Sequence, residues 1–469
     1  MTDVLAALRT LREGDLPTHG GHTLAYVYDS GLSEVDEIAA AAHALASSAN
    51  ALDPTAFPSL RKLENDLVAR AAGLLGGTAD TVGALASGGT ESCLLAVLAA
   101  RDARPDIAAP SVVLPDTAHA AFHKAAHLFG LREIVVPVDP VTFRAVPGAM
   151  ADAIDQSTVL VVASAPSYAH GVIDPIPEIA AAAAERGVRM HVDACIGGWI
   201  LPYLARLGEH VPPFDFRVPG VTSVSVDLHK YAYCAKGVSV LLHANAQLRR
   251  THYFASTAWP GYPMLNPTLQ STRSGGPLAA AWAVVHHLGD DGYLRLAEIT
   301  REAVTRIRAG VEATAGLRVL GDPDSTLVSF TAEYDDFDLF TVADEMKLRG
   351  WYVQPQFAHG VSPLNLHLTI TAANHGGEAE FLADLAASVT AARAAGPVAV
   401  DPDVAAFIAA LDAETLTQEQ FAGLLTAAGL MGDGGLPGRM APINALLATA
   451  PEPLRERLLL EFLGALYTP

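Results

Sequence analysis

Between residues 111 and 243 six short apolar runs recur, and helical patterns fill most of the gaps between them. The runs are "SVVLP" (111–115), "EIVVPV" (133–138), "TVLVVASA" (158–165), "VRMHVDA" (188–194), "SVSVD" (223–227) and "VSVLLH" (238–243). Strands that alternate with helices build βαβ units, and so an α/β fold on a mostly parallel central sheet with flanking helices. The near-continuous apolar character of each run predicts a sheet covered on both faces. Ligands of such sheets collect at the carboxyl ends of the strands, which is where chemistry is sought.

A chain of 469 residues, 51% hydrophobic, has material for one large domain and smaller lobes. Residues 1–58 read as an N-terminal arm: a short amphipathic helix, then turn formers such as "NALDPTAFPSLRK". The helical "SLRKLENDLVARAAGLLGG" opens a large domain over 59–290. A smaller α+β lobe is expected over 291–396, with "LVSFTA", "WYVQPQ" and "LNLHLTI" beside a long helix. Residues 397–469 form a helical C-terminal extension, in which Thr417 and Gln420 stand at capping-box spacing.

Lys+Arg number 30 and Asp+Glu 51, for a net charge of −21. That balance repels nucleic acid and anionic membranes. No charge-free apolar run reaches the length of a membrane span, so no membrane anchor is expected. The N-terminus lacks the pattern of a signal peptide. Three scattered cysteines, Cys93, Cys195 and Cys234, form neither a disulfide framework nor a paired zinc motif, which fits a reducing cytoplasm.

Four features carry chemistry. Ser87, Gly88, Gly89 and Thr90 stand directly before an apolar-periodic helix, where free N–H groups and close backbone approach can cradle a phosphate; a plain Gly-rich turn with a Thr cap would look the same. His191, Asp193 and Cys195 share one strand face. All three types ligate zinc, but no further cluster stands near and no metal is expected. Asp193 then serves a ligand at the strand end, or caps a turn. Lys230 directly follows the strand 223–227. In an apolar pocket its ammonium is disfavoured, and the neutral amine can form a Schiff base with a carbonyl. His119, just after the strand 111–115, offers a flat ring. Anion cradle, carboxylate, lysine and flat imidazole each follow a strand of one sheet. Pyridoxal 5'-phosphate needs all four.

The stretches "SGGTES", "HVDACIGG", "FDFRVPGVTSVSVDLHKY", "FPSLRKLE" and "NPTLQSTRSGG" resemble the sphingosine-1-phosphate lyase-like members of the group II pyridoxal-phosphate-dependent decarboxylase family, which have fold type I. The resemblance implies that Lys230 carries the cofactor with His229 beside it, that Asp193 bonds the pyridine nitrogen and that His119 stacks on the ring. It places Ser87, Gly88, Gly89, Thr90 and Ser225 at the cofactor, and Tyr28, Tyr231 and Lys236 at the substrate. It also implies a homodimer with shared active sites, in which the segment around Gly275 reaches the neighbour's phosphate. The implied reaction is retro-aldol cleavage of a small-molecule amino alcohol or hydroxy amine, phosphorylated or not, with L-amino-acid decarboxylation as the alternative. Where the family reads Asn-Pro-Leu-His-Pro this chain has Ala51 and Asp53, and an acid there repels a phosphate. No arginine lies in 351–377 to hold a carboxylate as transaminases do, and no Gly-x-Ser-x-Gly elbow supports a serine hydrolase.

Overall fold

The computed structural model describes residues 2–427 and 438–467. Seven strands form its main sheet: β1 (Val82–Ala86), β2 (Ser111–Pro115), β3 (Arg132–Val136), β4 (Thr158–Ser164), β5 (Arg189–Asp193), β6 (Ser223–Asp227) and β7 (Ser239–His243). Their order is β1-β7-β6-β5-β4-β2-β3. β7 runs antiparallel to both its neighbours, and the remaining pairs are parallel.

Strand periodicity divides the core. Val113, Val161, Val192 and Val224 point to one face, under the helices Pro58–Leu74, Ile176–Glu185 and Gly197–Arg206. Val112, Leu114, Leu160 and Val162 point to the other, under Gly89–Asp102 and Ala121–Phe129. Burial on both faces explains why β2, β4, β6 and β7 read as apolar runs. β1 escapes that reading because "VGALA" holds one β-branched residue. Its Gly83 lies so close to β7 that a Cβ would meet Leu241 O at 2.7 Å.

The hairpin strands β8 (Phe254–Ser256) and β9 (Met264–Asn266) stand apart. A second, antiparallel sheet joins β10 (Leu317–Val319), β11 (Leu327–Ala332), β12 (Gln354–Gln356) and β13 (Asn365–Thr369) in the order β10-β11-β13-β12. The helix Gly275–Ala313 serves both cores: Leu278 and Val284 pack in the first, Ile307 and Val311 in the second. It breaks at Gly289 (φ 57°, ψ −169°), a left-handed conformation that suits glycine. The helix thus spans position 290/291, where the sequence places the start of the smaller lobe. The arm holds a further helix, Ser33–Ala46, packed against Gly275–Ala313; its alanine-rich face gave no periodic signal.

In the extension, Thr417 N–H donates to Gln420 Oε1 (2.8 Å) and Gln420 N–H to Thr417 Oγ1 (3.3 Å), a reciprocal capping box. Helices Pro402–Ala409, Gln418–Ala427, Ala441–Thr449 and Glu452–Leu466 follow; residues 428–437, which the sequence reading took as helical, lie outside the described residues. Buried Asp344 anchors the extension by accepting the N–H groups of Met440 and Ala441, both at 2.9 Å. Among the described residues no helix is long and apolar enough to cross a membrane.

Candidate active site

At the carboxyl ends of β1, β4, β5 and β6 lies a cavity of about 390 Å³, reached by Ser87–Thr90, His119, Asp193, Asp227, His229 and Lys230. The cradle 87–90 joins β1 to the helix Gly89–Asp102, whose N-terminus opens on the cavity. Buried Glu91 fixes the loop: Oε2 accepts Ser87 N–H (2.6 Å) and Oε1 accepts Leu269 N–H (2.9 Å). Gly89 is required sterically, since a Cβ there would lie 2.5 Å from Asp227 Oδ2.

Lys230 follows β6 by one tight turn and brings Nζ to 2.9 Å from Asp227 Oδ2. Burial works against the ammonium, but the neighbouring Asp227 carboxylate overrides it and holds Lys230 well above its ordinary range. Asp227 in turn is disfavoured by burial, yet Lys230 and His229 leave it below the usual carboxylate range. Its Oδ1 is buried and has no hydrogen-bond partner among the described residues. His229 is pushed down by burial, against the pull of Asp227. Its Nδ1 lies 2.9 Å from Val238 O. A carbonyl only accepts, so Nδ1 carries the proton and Nε2 the lone pair.

Asp193, at the end of β5, accepts Cys195 N–H (3.1 Å) on Oδ1. His119 stands exposed at the cavity, with Nδ1 accepting Ala121 N–H at 3.1 Å. Tyr28 packs edge-on against Tyr231 at 5.1 Å, and burial pushes its hydroxyl up to about 12. Lys236 Nζ sits 4.9 Å over the Tyr28 ring and donates to Tyr26 O at 2.9 Å. Part of its side chain reaches solvent, yet desolvation, with Lys230 adding, lowers it to about 8.

Pyridoxal phosphate fits this donor set. The cradle presents backbone N–H groups with no side chain at Gly89, Lys230 is the one lysine among the described residues that line the cavity, and Asp193 faces the same space. The orphaned Asp227 oxygen beside Lys230 marks a polar site built for more than protein contacts.

Five of the expected site residues, Tyr28, Ser225, Tyr231, Lys236 and Gly275, do not line this cavity. Ser225 does not line the cavity; it lies wholly buried behind Asp193 and donates to Oδ1 at 3.3 Å. It lies on the Asp193 side of β6, whereas the chain turns into the cavity only after Asp227. Gly275 lies away from this chain's cavity, its N–H donating to Ala49 O (2.8 Å) beside the helix Ser33–Ala46. Tyr231 is buried and spends its hydroxyl on Ile370 O at 2.8 Å. Sequence reasoning assigned no role to Asp227, Glu91 or Tyr168, which also line the cavity. An acid three residues before Lys230, at the end of an apolar strand, was the available signal for Asp227. Glu91 had its place in the first helical turn. Tyr168, whose hydroxyl donates to Gln354 at 2.5 Å, gave none.

The description "Pyridoxal-dependent decarboxylase conserved domain" matches residues 18–333, and "Pyridoxal-dependent enzyme, C-terminal putative HTH domain" matches 402–465. A sphingosine-1-phosphate lyase of Dictyostelium discoideum is 42% identical over 349 residues, 74% of this chain and 65% of that one. Sphingosine-1-phosphate lyase 1 of Rattus norvegicus is 36% identical over 83% of this chain and 68% of its own length. The chain thus spans about two thirds of these relatives. The solved sphingosine-1-phosphate lyase of Burkholderia pseudomallei superposes with a TM-score of 0.79 at 39% identity, covering 84% of this chain and 91% of that one. A Lactobacillus brevis glutamate decarboxylase, at 20% identity and TM-score 0.73 over 82% of this chain and 92% of its own, shares the fold.

Proposed function

This chain belongs to the pyridoxal-dependent decarboxylase family, and from that premise we propose that it is a carbon–carbon lyase. Its cofactor is pyridoxal 5'-phosphate. The substrate is a β-hydroxy amine, phosphorylated in the reading nearest to the lyases it resembles. The bond between the amine-bearing and hydroxyl-bearing carbons breaks in a retro-aldol sense, giving an aldehyde and a smaller amine. The observation that carries the reading is the convergence of Lys230, Asp193 and the 87–90 cradle on one cavity.

Bound pyridoxal phosphate supplies the electron sink that takes up the pair left by the broken bond. The remaining cradle N–H groups and the hydroxyls of Ser87 and Thr90 would hold its phosphate, Asp193 its ring nitrogen and His119 its ring. Lys230 holds a proton at Nζ under the influence of Asp227 and delivers it to the amine-bearing carbon. His229, neutral with the Nε2 lone pair 3.5 Å from Asp227 Oδ2, takes the substrate hydroxyl proton. Tyr28 keeps its proton at neutral pH and donates a hydrogen bond to the substrate. Lys236 meets an anionic substrate group.

The active assembly is a homodimer in which Gly275 serves the partner's cofactor phosphate. Exposed Phe254, Trp259, Tyr262 and Leu265 around the β8–β9 hairpin support a second copy docking there. The chain divides into the arm 1–58, cofactor domain 59–290, small domain 291–396 and extension 397–469, and it works in the cytoplasm. Three free, buried cysteines suit a reducing compartment. A product screen with phosphorylated long-chain amino alcohols, β-hydroxy amino acids and plain α-amino acids tests the reading. Mass spectrometric detection of an aldehyde is expected; carbon dioxide from an α-amino acid would replace it with decarboxylation.

A further inference from the structure

Behind Asp193 lies a buried row of polar side chains that the proposed chemistry does not use directly. β5 and β6 run parallel with His191 paired to Ser223 and Asp193 paired to Ser225. His191 and Ser225 are wholly buried, Ser223 nearly so. His191 Nδ1 lies 2.9 Å from Ser223 Oγ, and Nε2 lies 3.2 Å from Ser225 Oγ. Ser225 Oγ lies 3.3 Å from Asp193 Oδ1, and the Cys195 thiol donates to Ser225 Oγ at 3.3 Å.

The direction of every bond follows from one end. A carboxylate oxygen only accepts, so the Ser225 hydroxyl donates to Asp193. Its oxygen then accepts from His191 Nε2–H. His191 is neutral, because burial lowers it to about 4 against the weaker pull of Asp193. With Nε2 protonated, Nδ1 holds a lone pair and accepts from the Ser223 hydroxyl. Three donors in sequence point at Oδ1, and each polarises the next. The Cys195 N–H ends on the same oxygen. Oδ2 is left for the cavity that Asp193 lines.

We propose that His191 and Ser225 are positioning residues that act on the cofactor through Asp193. Their directed hydrogen-bond row, Ser223 to His191 to Ser225 to Asp193, fixes the carboxylate's rotation and charge toward the ring nitrogen. The proposal rests on the reading that Asp193 meets that nitrogen.

The test compares Ser225→Ala, His191→Leu, their double variant and His191→Gln, with Val192→Ala as a control for lost packing on the same strand's other face. Cofactor affinity of the stripped full-length protein, the visible spectrum of the reloaded protein across pH, and kcat and KM are measured. Ser225→Ala and His191→Leu each lose about tenfold in cofactor affinity, shift the pH-dependent spectrum and lower kcat more than they raise KM. The double variant is no worse than the poorer single, since one row is cut twice. His191→Gln, which keeps a donor toward Ser225, recovers most of the loss. Losses that add, or a spectrum and affinity as little changed as in Val192→Ala, overturn the proposal. If His191→Leu fails to fold, the near-isosteric Ser225→Ala decides alone. Failure of the parent protein to bind pyridoxal phosphate would instead overturn the reading of the site.

Discussion

Lys230 Nζ and Asp227 Oδ2 lie 2.9 Å apart in a pocket where Asp227 is only 2% exposed. A lysine that is to react with an aldehyde must shed its proton, yet its nearest neighbour is a buried carboxylate that keeps the proton on. The pair stores Lys230 as an ammonium until a ligand's own charge changes the balance.

Asp227→Asn therefore lowers the pH at which the cofactor is captured. The carboxylate that raises Lys230 is gone while burial, which lowers it, remains. The capture rate of the stripped protein, followed by absorbance, should rise along a pH profile displaced about one to two units downward. An unmoved profile would show that Asp227 does not set the state of Lys230.

Gly89→Ala places a Cβ 2.5 Å from Asp227 Oδ2, and neither atom can yield without disturbing Lys230. A destabilisation of about 1–3 kcal/mol and loss of cofactor retention are expected by thermal melting and dialysis. Gly148→Ala, with nothing within 4 Å, is the control and should be neutral or stabilising.

The parallel sheet, and the gathering of the cradle, Asp193, His119 and Lys230 at its strand ends, were legible because each of these residues follows an apolar run. Asp227 offered only its place three residues before Lys230, since its importance lies in a 2.9 Å approach across a turn. Ser225 reads as a cavity residue on the resemblance, yet pleating turns it toward Asp193 and His191. The helix Ser33–Ala46 stayed silent because its alanines pack by close approach to another helix, with only Val35 buried. The break at Gly289 lies inside a helical pattern that continues on both sides.

Lys236, lowered to about 8, makes binding of an anionic substrate depend on pH. Its charge is present below that value and lost above it, so KM for a phosphorylated amine should climb as pH passes about 8. Lys236→Met should raise KM roughly tenfold at pH 7 and flatten the climb. A parent KM that ignores pH across this range would remove Lys236 from substrate binding.

Acid should loosen the fold before it protonates ordinary carboxylates. Burial lowers His170, His191 and His252 to about 4 and His367 to about 3. A histidine depressed in the folded state contributes stability that is full above its unfolded value, about 6.5, and lost as pH falls toward the folded one. Asp174, raised to about 6, opposes this weakly, since acidification relieves its burial. The melting temperature should fall between about pH 6.5 and 4, and less steeply in His367→Gln. A flat profile in the parent would contradict the neutral buried state of these rings.

Borohydride reduction followed by peptide mass spectrometry bears most directly on the whole account. One pyridoxyl group on the peptide holding Lys230 is the predicted result, with Lys230→Ala unlabelled, colourless and inactive. A label on Lys236 or another lysine, or a protein that takes up no cofactor, would contradict it.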